Sequence, residues 1–305
     1  ETLFLAGEGA GPTGDRPFID RFDLASGESE RLTQSEPPVF ERAIQIVESG
    51  GPTLLVSREK EDEPTNFYLR HLETGKLEAL TAFEHPYPKL KAAKKELVKY
   101  EREDGVQLTA TLHTPPDYDP DADGPIPTVL WAYPREFKSA DAAGQVKDSP
   151  HRFPRMSPHS PLCLLALGYA VMEGPTMPII GEGDAEANDT YVEQLVSSAK
   201  AAVDEVVKRG VADAKQVGVG GHSYGAFMTA NLLARSDLFC SGVALSGAYN
   251  RTLTPFGFQR EERTIWQAPE VYSAMSPFMH ADKITSPLLL IHGEADNNSG
   301  TFPMQ

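Results

Sequence analysis

A serine with glycine two residues before it and two residues after it, Gly221-His222-Ser223-Tyr224-Gly225, carries the clearest chemical signal in this 305-residue chain. A serine hydroxyl becomes a nucleophile only when a neighbouring base takes its proton. Glycines at those two positions have no Cβ, so they tolerate the strained strand-to-helix corner that lifts Oγ above a sheet edge. The same corner aims the N–H of Tyr224 at the place where an oxyanion would form, with the positive end of a helix behind it. The five-residue pattern alone is a weak sign, because glycine-rich turns often carry an incidental serine. Its flanks strengthen it. Gln216 to Val219 reads as a short buried strand, and Phe227, Met228, Leu232 and Leu233 form the apolar face of a helix ending near Ser236-Asp237. A dinucleotide fingerprint does not fit, since G-x-G-x-x-G counted from Gly218 puts Ser223 where the third glycine belongs.

An activated serine needs a histidine, and the histidine needs a carboxylate to hold its tautomer and stabilise its charged form. On α/β-hydrolase folds these follow in the chain order Ser, Asp, His. Asp296 fits the acid, because it follows the apolar run Leu288-Leu289-Leu290-Ile291, which reads as a buried strand opening into a loop. Glu294 is the competing surface acid. The base has no candidate: the histidines are His71, His85, His113, His151, His159, His222, His280 and His292, and none follows Asp296. His222 is too close to Ser223 to curl back onto it, and His292 reads as a packed histidine at a strand end. The expectation is a hydrolase chain that stops before its catalytic histidine.

The elements that must position these groups alternate along the chain. Thr128 to Tyr133, Tyr169 to Glu173, Gly242 to Leu245 and Leu288 to Ile291 read as strands. Asp189 to Arg209 reads as a long helix with Tyr191, Leu195, Val196, Ala199 and Val203 on one stripe. Such alternation predicts a mostly parallel sheet covered by helices, with the active site at the carboxyl ends of its strands. Ahead of it, Leu97 to Tyr100 and Val106 to Leu112 flank Asp104-Gly105, a hairpin signal. Residues 1–90 have another texture, with short β-like runs and little helical period. Ile19 to Thr33 resembles Phe67 to Thr81 at an offset of roughly 48 residues, close to the repeat of a β-propeller blade. The predicted organisation is therefore 1–90 as the end of a propeller and 91–305 as an α/β-hydrolase domain. The basic run Lys89 to Lys99 reads as a solvated linker face, and Gly181 to Glu186 carries three acids that would repel phosphate, so it reads as a rim loop.

A net charge of -16 argues against nucleic acid and anionic membranes as partners. No apolar run approaches the roughly 18 residues of a membrane span. Cys163 and Cys240 match no metal or redox spacing and read as buried free thiols, so no metal is implied. The chain begins at Glu1 without a signal or transit segment, which reads as a mature form or a fragment.

Three longer stretches resemble the glutamyl endopeptidase branch of the prolyl oligopeptidase family: Gly220 to Met228, Ser246 to Gly257 and His292 to Gly300, with Trp131 to Ser139 and Pro178 to Tyr191 in support. The resemblance implies a β-propeller joined to an α/β-hydrolase domain, with Ser223 as nucleophile and Asp296 as the triad acid. It implies a second oxyanion donor from a tyrosine hydroxyl, for which Tyr133 in Trp131-Ala132-Tyr133-Pro134 is the candidate, beside the Tyr224 N–H. It places Asn298 where related peptidases hold a substrate carbonyl. Cleavage after glutamate calls for a cation in the pocket, and arginine offers a fork that matches a carboxylate. Arg251 is the best placed and Arg135 the rival. The expectation is a cofactor-free serine endopeptidase acting on peptides after Glu, in the chloroplast stroma or alternatively the cytoplasm. A carboxylesterase uses the same elbow and acid, and a non-catalytic scaffold follows if no histidine comes after residue 305.

Overall fold

The structure is a computed structural model that describes residues 1–47, 53–146, 148–157 and 159–298. It divides into two compact units, one of Glu1–Ala92 with Val146–Arg155, the other of Ala93–Gln145 with the chain from Met156 onward.

The first unit is all antiparallel sheet. Strands β1 (Thr2–Gly7), β2 (Phe18–Asp23) and β3 (Ser29–Gln34) make a three-stranded meander. Strands β4 (Phe40–Ile46), β5 (Thr53–Lys60), β6 (Glu63–His71) and β7 (Leu77–Ala79) make a four-stranded one, the strand count of a propeller blade. The repeated sequences are the hairpins β2–β3 and β6–β7. Gly27 (φ 74) and Gly75 (φ 69) take the left-handed conformation at matching turn positions, where a side chain would be strained. Each donates its N–H to the carbonyl four residues earlier, Asp23 and His71. Ile19, Leu54 and Val56 form the small core. Val146–Arg155 joins this unit: Asp15 N donates to Asp148 O at 2.7 Å, and Arg152 and Arg155 lie 3.2 and 3.3 Å from the buried Glu59 carboxylate.

The second unit is built on a seven-stranded mixed sheet. Its strands are β8 (Lys94–Glu101), β9 (Gln107–Thr114), β10 (Thr128–Trp131), β12 (Ala170–Glu173), β14 (Val217–His222), β15 (Ser241–Leu245) and β16 (Leu288–Ile291), in the order β16-β15-β14-β10-β12-β9-β8. The pairings from β16 through β12 are parallel, and β9 and β8 add an antiparallel edge through the Asp104-Gly105 hairpin. A small parallel ribbon pairs β11 (Pro134–Phe137) with β13 (Met177–Ile180). Apolar runs in β10, β12 and β14 place Leu130, Val171, Met172 and Val217 at full burial, as strands covered on both faces require. This is the expected α/β-hydrolase arrangement.

Besides the short turns α1 (Pro120–Asp123) and α2 (Ala140–Ala143), three helices matter. In α3 (Tyr191–Lys208) the buried residues Tyr191, Leu195, Ala199, Ala202, Val203 and Val206 recur at helical spacing and seat it on the sheet. Helix α4 (Tyr224–Arg235) is buried all round from Tyr224 to Ala234, as befits a helix in the heart of the unit. Helix α5 (Pro269–Met275) packs Tyr272 and Met275 inward.

Two expectations fail. Among the described residues strand β16 ends the sheet, and Leu289 and Leu290 are 55% and 57% exposed where no described element covers them. Cys163 and Cys240 are both exposed, since the apolar neighbours in sequence point away from them into the core.

Candidate active site

The corner at Ser223 has the strained geometry its glycines suggest. Strand β14 ends at His222 and α4 begins at Tyr224, leaving Ser223 between them at φ 58, ψ -113. A non-glycine residue held there costs on the order of 1–3 kcal/mol, offset only by surroundings that leave it no alternative. Those surroundings are specific. Ser223 N donates to Leu245 O at 2.8 Å, and Ser223 O accepts from Ala226 N and Phe227 N at 3.0 and 3.1 Å. The Ala132 carbonyl passes over both flanking glycines: a Cβ on Gly221 would stand 2.7 Å from that oxygen and one on Gly225 only 2.4 Å from it. The requirement for Gly-x-Ser-x-Gly is thus set by a crossing backbone as well as by the turn.

Tyr224 opens α4, so its N–H is one of those left over from the helical ladder. Its side chain is buried, and the phenol donates to Glu136 Oε1 at 2.8 Å. Burial first, then the charges of Tyr191 and Glu136, push this phenol well above its ordinary pKa, so it stays a donor. Its ring meets Tyr133 edge-on at 5.8 Å and lies 5.9 Å from Tyr191. Tyr133 stands between β10 and β11, 43% exposed, with its ring 3.8 Å from the position of a Cβ on Gly225. Both proposed oxyanion donors therefore border the elbow.

Arg251 starts the 3-10 turn Arg251–Leu253 that follows β15, a turn capped by Asn250 Oδ1 accepting from Thr252 N at 3.1 Å. Its own N–H donates to Ser276 Oγ at 2.9 Å. The side chain is 5% exposed and runs among rings, with Cζ 4.3 Å from the centroid of Phe227, 4.8 Å from Phe258 and 5.5 Å from Tyr224. Nε is buried without a hydrogen-bond partner, and among the described residues no carboxylate makes an ion pair with this guanidinium. Burial lowers its pKa, against the opposing fields of Tyr224, Tyr191 and Glu136. Arg135 differs: on β11 it points outward, opposite to Glu136, and is exposed.

Asp296 lies in the loop after β16, where its N–H donates to Gly293 O at 3.0 Å and its Oδ1 accepts from Asn298 N at 2.9 Å. His292 Nε2 is 3.6 Å from Asp296 Oδ2. Register sets His222, Leu245 and Ile291 side by side, so Ser223 and Asp296 follow the carboxyl ends of β14 and β16 on either side of β15. Asn298 is exposed on the same edge. Ser299 and Gly300, the end of the third motif, lie outside the described residues. His222 faces solvent and stacks on His159, with centroids 5.9 Å apart.

Three participants went unread in the sequence as site residues. Glu136 and Tyr191 hold or border Tyr224, and Tyr249 folds its ring over Gly247 beside the site loop, its phenol pushed up to about 12 by burial. Period-two alternation across Arg135 and Glu136 could have marked Glu136 as the inward residue.

A model of the prolyl oligopeptidase family matches residues 186–301. A protein from Oryza sativa subsp. japonica named probable glutamyl endopeptidase, chloroplastic, is 55% identical over 99% of this chain, which covers 33% of the rice protein. The Arabidopsis thaliana protein of the same name is 54% identical with the same coverage. The chain thus spans about a third of the length of these relatives. Among solved structures, dipeptidyl peptidase 4 from Porphyromonas gingivalis aligns with a TM-score of 0.68 at 21% identity, over 98% of this chain and 41% of that one.

Proposed function

We propose, from the match of residues 186–301 to a model of the prolyl oligopeptidase family and the likeness to the plant proteins, that this chain forms the catalytic part of a serine endopeptidase of that family that cleaves peptides after glutamate. Ser223 Oγ attacks the scissile carbonyl carbon while its proton passes to a histidine that follows residue 305 in the full-length protein, with Asp296 orienting that base. The oxyanion of the tetrahedral intermediate sits between the Tyr224 N–H and the Tyr133 hydroxyl. Collapse of that intermediate breaks the C–N bond, the histidine returns the proton to the departing amine, and the acyl group remains on Ser223 until water releases it. Asn298 holds a substrate carbonyl. The first unit is the end of a β-propeller, residues 1–90 in the main. The reaction draws on side chains and backbone alone. Because both plant relatives are named chloroplastic, we place the protein in the plastid, in its stroma.

The glutamate preference rests on one observation. Arg251 is a guanidinium buried among three rings, in contact with the residue after the nucleophile, and without an ion-pair partner among the described residues. An unpaired buried cation is costly, and a substrate carboxylate offers the charge-assisted bonds it lacks.

The test uses the full-length protein, its Ser223→Ala and Arg251→Ala variants, and peptide pairs that differ only in Glu or Gln at the cleaved position. The expected result is cleavage after Glu that is abolished by Ser223→Ala, with the Glu preference lost in Arg251→Ala. Serine-dependent cleavage that ignores the Glu-to-Gln change removes the glutamyl assignment. Equal turnover of neutral esters replaces it with a carboxylesterase, and no serine-dependent turnover with a scaffold.

A further inference from the structure

Among the described residues the buried charges are paired, with two exceptions that share one tyrosine. Glu41, Glu59, Glu261 and Arg102 each hold an opposite charge at 3.2 Å or less. Arg251 and Glu136, 5% and 7% exposed, have no ion pair among the described residues. Both lean on Tyr224: the guanidinium stands 5.5 Å from its ring centroid, and its hydroxyl donates to Glu136 Oε1 at 2.8 Å. We infer that Glu136 is the resident counter-charge of Arg251, held off by Tyr224 so that the guanidinium keeps its N–H groups open, and that a substrate carboxylate must compete with it.

This rests on the reading of Arg251 as the receptor for glutamate. Were Glu136 in direct contact with Arg251, the fork would be filled and the pocket closed. Were it absent, the guanidinium would be an uncompensated buried charge that any small anion could neutralise. The Tyr224 phenol, itself neutral, sets the intermediate distance. Glu136 then acts on binding in two ways. It repels an entering glutamate side chain, which lowers affinity without removing selectivity over a neutral side chain. It also repels the product, which carries the glutamate side chain and a new terminal carboxylate, and so favours its departure. Glu136 is accordingly a positioning and selectivity residue, touching neither Ser223 nor the scissile bond.

The experiment measures kcat/KM for matched Glu and Gln peptides in the full-length protein and in Glu136→Gln, Glu136→Asp and Arg251→Met. Glutamine keeps an acceptor for the Tyr224 hydroxyl and removes the charge. The Glu-to-Gln ratio in Glu136→Gln should rise about fivefold or more, through a lower KM for the Glu peptide. Glu136→Asp, which keeps the charge, should stay within about twofold of the parent. Because a folding defect lowers turnover of both peptides alike, the ratio separates selectivity from stability. An unchanged or smaller ratio in Glu136→Gln, with the preference still abolished in Arg251→Met, overturns the role of Glu136 and leaves the Arg251 reading standing. A Glu preference that survives Arg251→Met removes that reading and this inference together. If Glu136→Gln does not fold, product inhibition of the parent decides: a peptide ending in Glu should inhibit less than about tenfold more tightly than one ending in Gln. Inhibition more than about tenfold tighter overturns the proposal.

Discussion

The separated pair of Arg251 and Glu136 makes a quantitative prediction about stability that does not depend on any substrate. A centroid distance of 5.5 Å on one side of Tyr224 and a 2.8 Å hydrogen bond on the other put the two charges on the order of 8 Å apart, and at an effective dielectric near 20 that is about 2 kcal/mol of attraction. Arg251→Met or Glu136→Gln alone gives up this attraction and leaves one buried charge without compensation. The double substitution removes both charges, and replacing a buried pair by neutral groups is often neutral or stabilising by about 1–4 kcal/mol. The four proteins therefore form a cycle whose coupling should be about 2 kcal/mol, with the double variant more stable than either single one. For a unit of this size that coupling corresponds to roughly 4–8 °C of non-additivity in Tm. Thermal and urea unfolding at low and high salt would read it, and burial should keep the coupling from being screened. Single effects that add to within about 0.5 kcal/mol would refute the reasoning, because they would mean that the charges do not sense each other across the tyrosine.

Gly225→Ala places a Cβ 2.4 Å from the Ala132 carbonyl, a backbone atom that cannot step aside. In the full-length protein it should destabilise the unit by more than about 2 kcal/mol and abolish labelling of Ser223 by a fluorophosphonate. Tyr224→Phe takes a donor from the buried Glu136 and should cost about 1–3 kcal/mol in unfolding free energy. It keeps the backbone N–H, so Ser223 labelling should fall less than about tenfold. Glu261 gives a pH dependence. Burial pushes its carboxyl up, but hydrogen bonds and charge from Arg263 outweigh this and hold it below its usual value. A depressed carboxylate contributes stability above its unfolded pKa, near 4.5, and that stability is lost as pH falls through the folded value. Glu261→Gln should thus flatten the fall in Tm below about pH 4.5, and an unchanged acid slope would count against it.

The elbow was legible because its meaning lies in local sequence: two glycines, a serine and the switch from a short strand to an apolar helix all fall within a dozen residues. The hairpin at Asp104-Gly105 and the repeated turns at Gly27 and Gly75 were legible for the same reason. Arg251 could be named as a pocket cation from family resemblance, but its burial among Phe227, Phe258 and Tyr224 could not, since those rings come from helix α4 and from the separate stretch around Phe258. Glu136 escaped notice because its partner lies 88 residues away. The exposure of strand β16 among the described residues was not legible because four consecutive apolar residues look alike at the centre and at the end of a sheet; only neighbours decide, and periodicity does not report them. The exposed cysteines follow the same logic, as composition of the flanks says little about which way one side chain turns.

The return of Val146–Arg155 to the first unit gives the chain three passages between units instead of one, at residues 92–93, 145–146 and 155–156. Domain dissection by a single cut is then impossible. A protease that nicks the chain at the first passage yields two pieces on a denaturing gel. In native buffer they should elute together, because the released piece still carries Glu59 and Asp15, which grip Arg152, Arg155 and Asp148 on the other. Isolating the hydrolase unit requires splicing out that ten-residue loop, and a fragment cut at residue 93 without the splice carries a segment whose Arg152 and Arg155 have lost the Glu59 carboxylate.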